Sequence, residues 1–433
     1  MSKLLRRIAI TGVGLISPIG NDPATVWQAL SGRRSGVRAL QGLPTEQLAT
    51  RVGAQALDFT GDIADFGPLE KMTQRAIKKG LKLMCREIQM GVASAQLALN
   101  DARLDLNSVD RDRVGTMFGS DYIMTLPDEF TEGIKACLNP AGTFDFTRWG
   151  EFGRPQVEPL WLLKYLPNMP ASHVAIYNDL RGPSNSVTVR EASSNLSIAE
   201  AATTIGRGAA DVMVAGATGT RVHGVRTIHV CLQEQVAPGS DRPEQDARPF
   251  DRDRTGLVIG EGAGTIVVED WDHAARRGAP LYGEIVGYGS SCAVNRDGQA
   301  NYERAFHTVI GQALAIAEMK PSDIGHVHAH GLGTFTCDVA EARAIASWFG
   351  RTTPVTTAKS YLGNLGAGGG LVELIASLLA LRERQLFPIL NLEHVDPACE
   401  INAIQEFCDP GRSMLNLSIT PQGQASALIV QAI

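Results

Sequence analysis

The apolar and polar positions of this chain switch repeatedly between the two-residue period of a strand and the 3.6-residue period of a helix. Arg7 to Gly14 (RIAITGVG) reads as a short strand ending in glycines, and a helix over Pro23 to Leu30 follows, opened by Asn21-Asp22 with a proline in its first turn. A continuous helical pattern is predicted from Glu70 to Asn100, then a strand over Arg113 to Phe118 that ends at Gly119-Ser120. After Gly182 the chain reads strand (SNSVTV), helix (Ala192 to Gly206) and buried strand (Ala210 to Thr218). The second half repeats this order: strand Leu281 to Gly289, helix Glu303 to Glu318, strand His326 to His330, helix Asp338 to Phe349 and strand Pro354 to Thr357. An apolar helix over Gly370 to Arg384 and closing strands near Met414 to Ser418 and Ala425 to Val430 complete it. Such alternation predicts α/β layering, with two similar halves divided between Asp270 and Pro280 as the simplest organisation. Between Asp121 and Pro159 the periodicity disappears and Gly, Pro, Phe and Trp accumulate, as expected of an insertion or cap.

Composition narrows the function classes. A chain of 433 residues, 44% hydrophobic and 20% charged, has the apolar material for a large core and is too long for one simple domain. Its net charge of −6, without a long basic block, argues against a nucleic-acid partner. Seven scattered cysteines with no CxxC pair fit free thiols better than disulfides or a zinc site. The start MSKLLRRIAITGVG is broken too early by glycines for a signal peptide, and no apolar run reaches membrane-spanning length, so a cytoplasmic protein without membrane association is expected.

The run Ala247 to Gly264, ARPFDRDRTGLVIGEGAG, resembles the ARPFDxxRDGFVxGEGAG signature of β-ketoacyl synthases. Further segments agree in order: RIAITGVGLISPIG at the start, LPNMPASHVAI (Leu166 to Ile176), GPSNSVTV (Gly182 to Val189), AHGLGT (Ala329 to Thr334), AKSYLGN (Ala358 to Asn364) and ILNLEH (Ile389 to His394). The resemblance spans nearly the whole chain. It implies a thiolase-like five-layer αβαβα sandwich built from two similar α/β halves, normally dimeric. The first half, residues 1–270, would hold the nucleophile position and the insertion near 121–159; the second, residues 271–433, would hold the His330, Lys359 and Asn364 motifs.

Condensation in that family uses a cysteine at a helix N-terminus, where the dipole and free N–H groups favour thiolate. Two histidines and a lysine then serve decarboxylation and the enolate oxygen. Here the residues matching the family's TACxSS segment are Val189-Arg190-Glu191-Ala192-Ser193-Ser194, so Glu191 stands at the nucleophile position. A carboxylate suits a helix start electrostatically but is a far weaker nucleophile; an ion pair with Arg190 or another cation is the plainer reading of it. His330 matches the first family histidine and Lys359 the lysine, while Asn364 stands at the second histidine position, where an amide can donate a hydrogen bond but cannot trade a proton. In the substrate-binding HGTxT pattern Leu332 replaces the first threonine and Thr334 remains. The family's C-terminal GFGGxN loop is absent, Leu417 to Ala427 reading LSITPQGQASA.

Other reactive residues are set aside. His326 and His330 are expected on the strand face opposite His328, and no further ligands accompany them, so no metal and no cofactor is expected. Cys337 reads as a bystander thiol, and Ser193 and Ser194 as packing and capping residues.

The resemblance therefore implies a non-condensing ketosynthase homologue, similar to the chain length factors of type II polyketide and aryl polyene systems, or a counterpart in fatty acid synthesis. Its expected partners are a cysteine-bearing ketosynthase and an acyl carrier protein, with a homodimer as another possibility. Tyr122, Met124 and Phe130 fall in the segment matching the family's interface and are candidates for lining a tunnel there or packing the interface. Two other readings stay open: a malonyl-carrier-protein decarboxylase, and an active 3-oxoacyl-carrier-protein synthase with unconventional residues.

Overall fold

The computed structural model describes residues 6–433, so the basic start at Lys3 lies outside the described residues. Ten strands build two core sheets. In the first half these are β1 (Ile8–Ile16), β2 (Val114–Ser120), β3 (Ser184–Thr188), β4 (Val212–Thr220) and β5 (Ile259–Asp270). In the second they are β6 (Gly283–Cys292), β7 (His326–His328), β8 (Pro354–Thr356), β9 (Ser413–Ile419) and β10 (Gln424–Gln431). The strand orders are β3-β2-β4-β5-β1 and β8-β7-β9-β10-β6. Each is the same third-second-fourth-fifth-first path, with β2 and β7 pairing in parallel with both neighbours and the last two pairings antiparallel. The two first strands join the sheets through an antiparallel register, Ile8 opposite Ile285 and Ile10 opposite Gly283.

Five helices fill the layers: α1 (Arg86–Asp101), α2 (Ser193–Gly206), α3 (Tyr302–Ala317), α4 (Phe335–Phe349) and α5 (Gly369–Glu383). α2 and α5 lie between the sheets, α1 covers β1, β4 and β5, and α3 covers β6 and β10 with α4 beside it. From Gly369 to Leu381 every residue of α5 is buried, which is why its sequence is apolar all round rather than striped. This is the αβαβα sandwich that the sequence pattern and resemblance lead to.

The structure corrects three readings. The helix expected from Glu70 to Asn100 is divided into Lys71–Gly80, a 3₁₀ turn at Leu81–Leu83 and α1. Cys85 takes extended backbone and donates its N–H to Lys164 O at 3.4 Å, while a Cβ at Gly80 would lie 1.8 Å from the Tyr177 hydroxyl. Tertiary contacts thus break a locally adequate helix. His326 and His328 share a face, as residues two apart on a strand must: His326 Nε2 lies 3.1 Å and His328 Nδ1 2.7 Å from the same Ser377 hydroxyl. The strand itself stops at His328, short of His330.

The segment 121–159 forms a cap of short turns, among them Pro127–Phe130, the helical turn Thr131–Ala136 and a π-turn at Trp149–Gly153. Phe130 is clamped between Trp161 and Trp149, with ring centroids 4.9 and 6.4 Å away. β3 pairs only with β2 among the described strands, leaving its other edge open.

Candidate functional site

β3 delivers the chain to a 3₁₀ turn, Arg190–Ala192, that leads into α2. Arg190 holds φ 47°, a left-handed conformation that costs a non-glycine residue roughly 1–2 kcal/mol. The strain turns Glu191 inward, where its side chain is 3% exposed. Ser193 secures the turn, its hydroxyl accepting from Val189 N at 2.9 Å and donating to Ser120 O at 3.0 Å. Ser194 donates to Ala367 O at 2.5 Å, so both serines are engaged in backbone contacts.

The Glu191 carboxylate is hydrogen-bonded through one oxygen, while the other lies beside a guanidinium without a hydrogen bond. Oε1 accepts from the Arg221 guanidinium and from Asn364 Nδ2 at 3.2 Å, and Oε2 lies 3.6 Å from Arg190 Nε. Burial alone would raise its pKa, but Arg221 and Arg190 outweigh that and hold it well below the usual carboxylate range. The pair is part of a longer chain of charges. Arg190 and Arg221 share Glu234 Oε1 at 2.6 and 3.3 Å, and Arg226 lies 2.6 Å from Asp121 and 3.3 Å from Glu87. Burial pushes Glu87 up to about 8 against the pull of Arg226, so Glu87 is mainly protonated at neutral pH.

Residues of the second half close the site from the other side. His330 is buried and its backbone N–H donates to Glu341 Oε1 at 2.6 Å, with Gly331 N on Oε2 at 2.8 Å. Burial, reinforced by Lys359, drives the His330 imidazole well below the ordinary histidine range, so it is neutral. Lys359 Nζ pairs with Glu373 Oε1 at 2.5 Å. Asn364 bridges the halves: its backbone N–H donates to Val258 O at 2.7 Å, its Oδ1 accepts from Gly366 N at 3.1 Å, and its Nδ2 reaches Glu191. Leu332, Lys359 and Asn364 border a crevice of about 10 Å³, about the space of one water molecule.

Thr334 and Leu332 line a second cavity of about 430 Å³ together with Glu234, Tyr302 and Cys337. Burial and nearby Glu341 and Asp338 drive the Cys337 thiol well above its ordinary range, so it supplies no thiolate there. In the stretch Leu417 to Ala427, which lacks the family's loop motif, β9 and β10 are joined by a tight turn closed by Gly423 N to Thr420 O at 2.9 Å.

The three interface candidates separate. Tyr122 hydrogen-bonds His229 and lies under the Arg226 guanidinium at 4.4 Å; Met124 lines a cavity of about 590 Å³; Phe130 belongs to the aromatic cluster of the cap. Sequence reasoning missed Arg221, Arg226, Asp121, Glu87 and Glu234. The signal that could have found Arg221 is its place directly after the apolar run DVMVAGATGT, where a buried strand leaves little room for an unpaired charge. Among the described residues no cluster of histidine, cysteine and acidic side chains has metal-binding geometry.

As chemistry, the arrangement offers no free nucleophile. A carboxylate held by the Arg221 guanidinium and Asn364 gives up both contacts if it approaches a thioester carbonyl, and the crevice bordered by Asn364 does not admit an acyl group.

Comparisons with known proteins agree with this geometry in fold. Residues 5–274 match the β-ketoacyl synthase N-terminal domain and residues 282–393 the β-ketoacyl synthase C-terminal domain. The chain is 30% identical over 412 residues to 3-oxoacyl-[acyl-carrier-protein] synthase 2 of Synechocystis sp., covering 94% of this chain and 92% of the relative. It is 30% identical over 403 residues to the protein of the same name from Coxiella burnetii, covering 92% of this chain and 91% of that relative. A crystal structure of a β-ketoacyl synthase from Burkholderia phymatum is 28% identical and superposes with a TM-score of 0.84 over 99% of this chain and all of that one. The ishigamide ketosynthase/chain length factor shares the fold, at 23% identity and a TM-score of 0.82 over 99% of each chain. On the two domain matches and these relatives, the chain belongs to the β-ketoacyl synthase family.

Proposed function

We propose that this family member does not condense acyl chains by itself and serves as a chain length factor-like partner of a cysteine-bearing ketosynthase, in type II polyketide, aryl polyene or fatty acid synthesis. The observation that carries this reading is Glu191: it stands where the family has its cysteine, and Arg221, Arg190 and Asn364 occupy its carboxylate. The fold survives while the reactive centre is filled with fixed charge. The open edge of β3 and the exposed Ile176, on the helix Met169–Asn178 packed beside it, offer a surface for a second ketosynthase-fold chain. Acyl carrier protein would then be served at the partner's thiol. The decarboxylase reading is weakened by the same carboxylate, because an ionised Glu191 repels an incoming malonyl group.

The test is to incubate the purified chain with acyl- and malonyl-carrier-protein thioesters, alone and after co-expression with a cysteine-bearing ketosynthase. No condensed product and no acyl adduct by intact-mass measurement are expected from the chain alone, and product from a co-purifying pair. Glu191→Cys alone leaves the chain inactive, because Arg190 and Arg221 then crowd the thiol and Asn364 still lacks an imidazole. Steady product, or a stable adduct, from the unmodified chain would overturn the proposal.

A further inference from the structure

The cavity of about 590 Å³ starts at Arg226, where the charge network ends, and it falls within the roughly 300–1,000 Å³ range of small-molecule sites. Its apolar wall includes Met84, Ile123, Met124, Leu126 and Val222. Glu87, His223 and Arg226 form a polar portion of the same wall.

His223 caps the helix Gly224–Gln233, its Nδ1 accepting from Val225 N at 3.2 Å and Arg226 N at 3.3 Å. A ring nitrogen that accepts cannot hold the proton, so the N–H of this imidazole is at Nε2. Burial and the charge of Arg226 keep the ring neutral. That Nε2 is buried without a hydrogen-bond partner, as are Arg226 Nε and Glu87 Oε1, on side chains of which Glu87 and Arg226 are no more than 2% exposed. Buried polar atoms are nearly always satisfied, and the two orphaned donors, His223 Nε2–H and Arg226 Nε–H, point to a ligand that supplies the missing acceptor. Arg86 is paired with Glu261 and Lys164 with Glu129, so the orphaned N–H groups of His223 and Arg226 are what favour an anionic head over a neutral one.

We propose that this cavity binds a medium-chain monocarboxylate, its carboxylate accepting from His223 Nε2–H and Arg226 Nε–H and its alkyl body lying against Met84, Ile123, Met124 and Val222. The site is separate from the Glu191 position and needs no partner chain.

Titration calorimetry of the full chain with octanoate tests it. Saturable binding of one octanoate per chain is expected. His223→Asn keeps a side-chain oxygen to cap the helix but removes the ring donor, and weakens binding about tenfold, the loss of one charge-assisted hydrogen bond. Met124→Trp fills the apolar wall and abolishes binding, and octanol binds at least about tenfold more weakly than octanoate. Circular dichroism and the unfolding midpoint establish that each variant is folded; if Met124→Trp is not, His223→Asn decides. No saturable uptake by the unmodified chain, unchanged affinity in His223→Asn, or octanol binding as tightly as octanoate would each overturn the proposal. Because the titration uses the chain alone, its failure leaves the pairing proposal standing, and loss of pairing leaves it untouched.

Discussion

On the first-half side of the site Glu191 is buried and ionised; on the second-half side His330, Glu341 and Cys337 are buried and neutral. The cost of burying charge is common to both, and the partners differ. Two guanidiniums within 3.6 Å hold the Glu191 proton off, whereas Glu341, whose carboxylate receives only backbone N–H groups from His330 and Gly331, is pushed by burial to about 8. The balance between burial and nearby guanidiniums therefore keeps Glu191 ionised and leaves Glu341 neutral.

Removing the cation should have the largest effect. Arg221→Ala leaves Glu191 and Glu234 facing each other with one guanidinium fewer, and a loss of about 3–5 kcal/mol is expected in urea unfolding, as for other broken buried pairs. The double variant Glu191→Leu/Arg221→Met should recover most of it, since an apolar pair has no charge to desolvate. A double variant as unstable as the single one would show that the ion pair is not what stabilises this side.

Lys359→Met tests the opposite side and should cost less, about 1–3 kcal/mol, the usual cost of an unmade buried hydrogen bond. Burial already raises the pKa of Glu373 despite Lys359, so the freed carboxyl can take up a proton where Glu191 could not. An equal loss in both variants would remove the distinction between the sides.

The neutral acids should also show in the pH dependence. Glu87 and Glu341 rise from 4.5 to about 8 in the folded chain. As pH increases the unfolded state releases these protons first, so their contribution to stability is greatest below about 4.5 and is lost on the way to about 8, at on the order of 1 kcal/mol per pH unit for each group. Glu191 runs the other way, its contribution present above the unfolded value and lost only in strong acid. Unfolding measured at pH 6 and pH 8 should therefore give a flatter profile for Glu87→Gln than for the unmodified chain; an unchanged slope would mean that Glu87 is ionised throughout.

The smallest effects concern the cap. In a mixed complex with a cysteine-bearing ketosynthase, changing side-chain size at Tyr122, Met124 or Phe130 should alter product length and leave condensation intact. Product distributions by mass spectrometry that ignore all three substitutions would remove the tunnel-shaping role while leaving the family assignment unaffected.

Much of the layering was legible because buried and half-buried elements carry strong periodic signals. The helix of α5 and the strands β4, β9 and β10 were readable for that reason. β5 was not: it is the twelve-residue strand Ile259–Asp270, but Gly260, Gly262 and Gly264 weaken its strand character. The reason lies across the layer, since a Cβ at Gly264 would come 2.8 Å from Leu371 Cβ of α5. The site was legible in part. Glu191, His330, Lys359 and Asn364 follow from motif positions, but Arg221 and Glu234 lie 30 and 43 residues beyond Glu191 in segments without a distinguishing motif.

By itself the sequence determined the α/β layering and the family, and it set Glu191 in the segment that resembles the family's nucleophile motif, because these depend on local periodicity and on residues in a recognisable order. Only the tertiary structure decided what Glu191 does with its charge. Besides its neighbour Arg190, its partners come from the residue after β4 and from the loop before α5, and their distances and burial exist only once the sheets and the two central helices have packed. A pKa depends on those distances and that burial, which the order of residues in the chain fixes only in part, and so does the difference between a reactive carboxylate and a locked one.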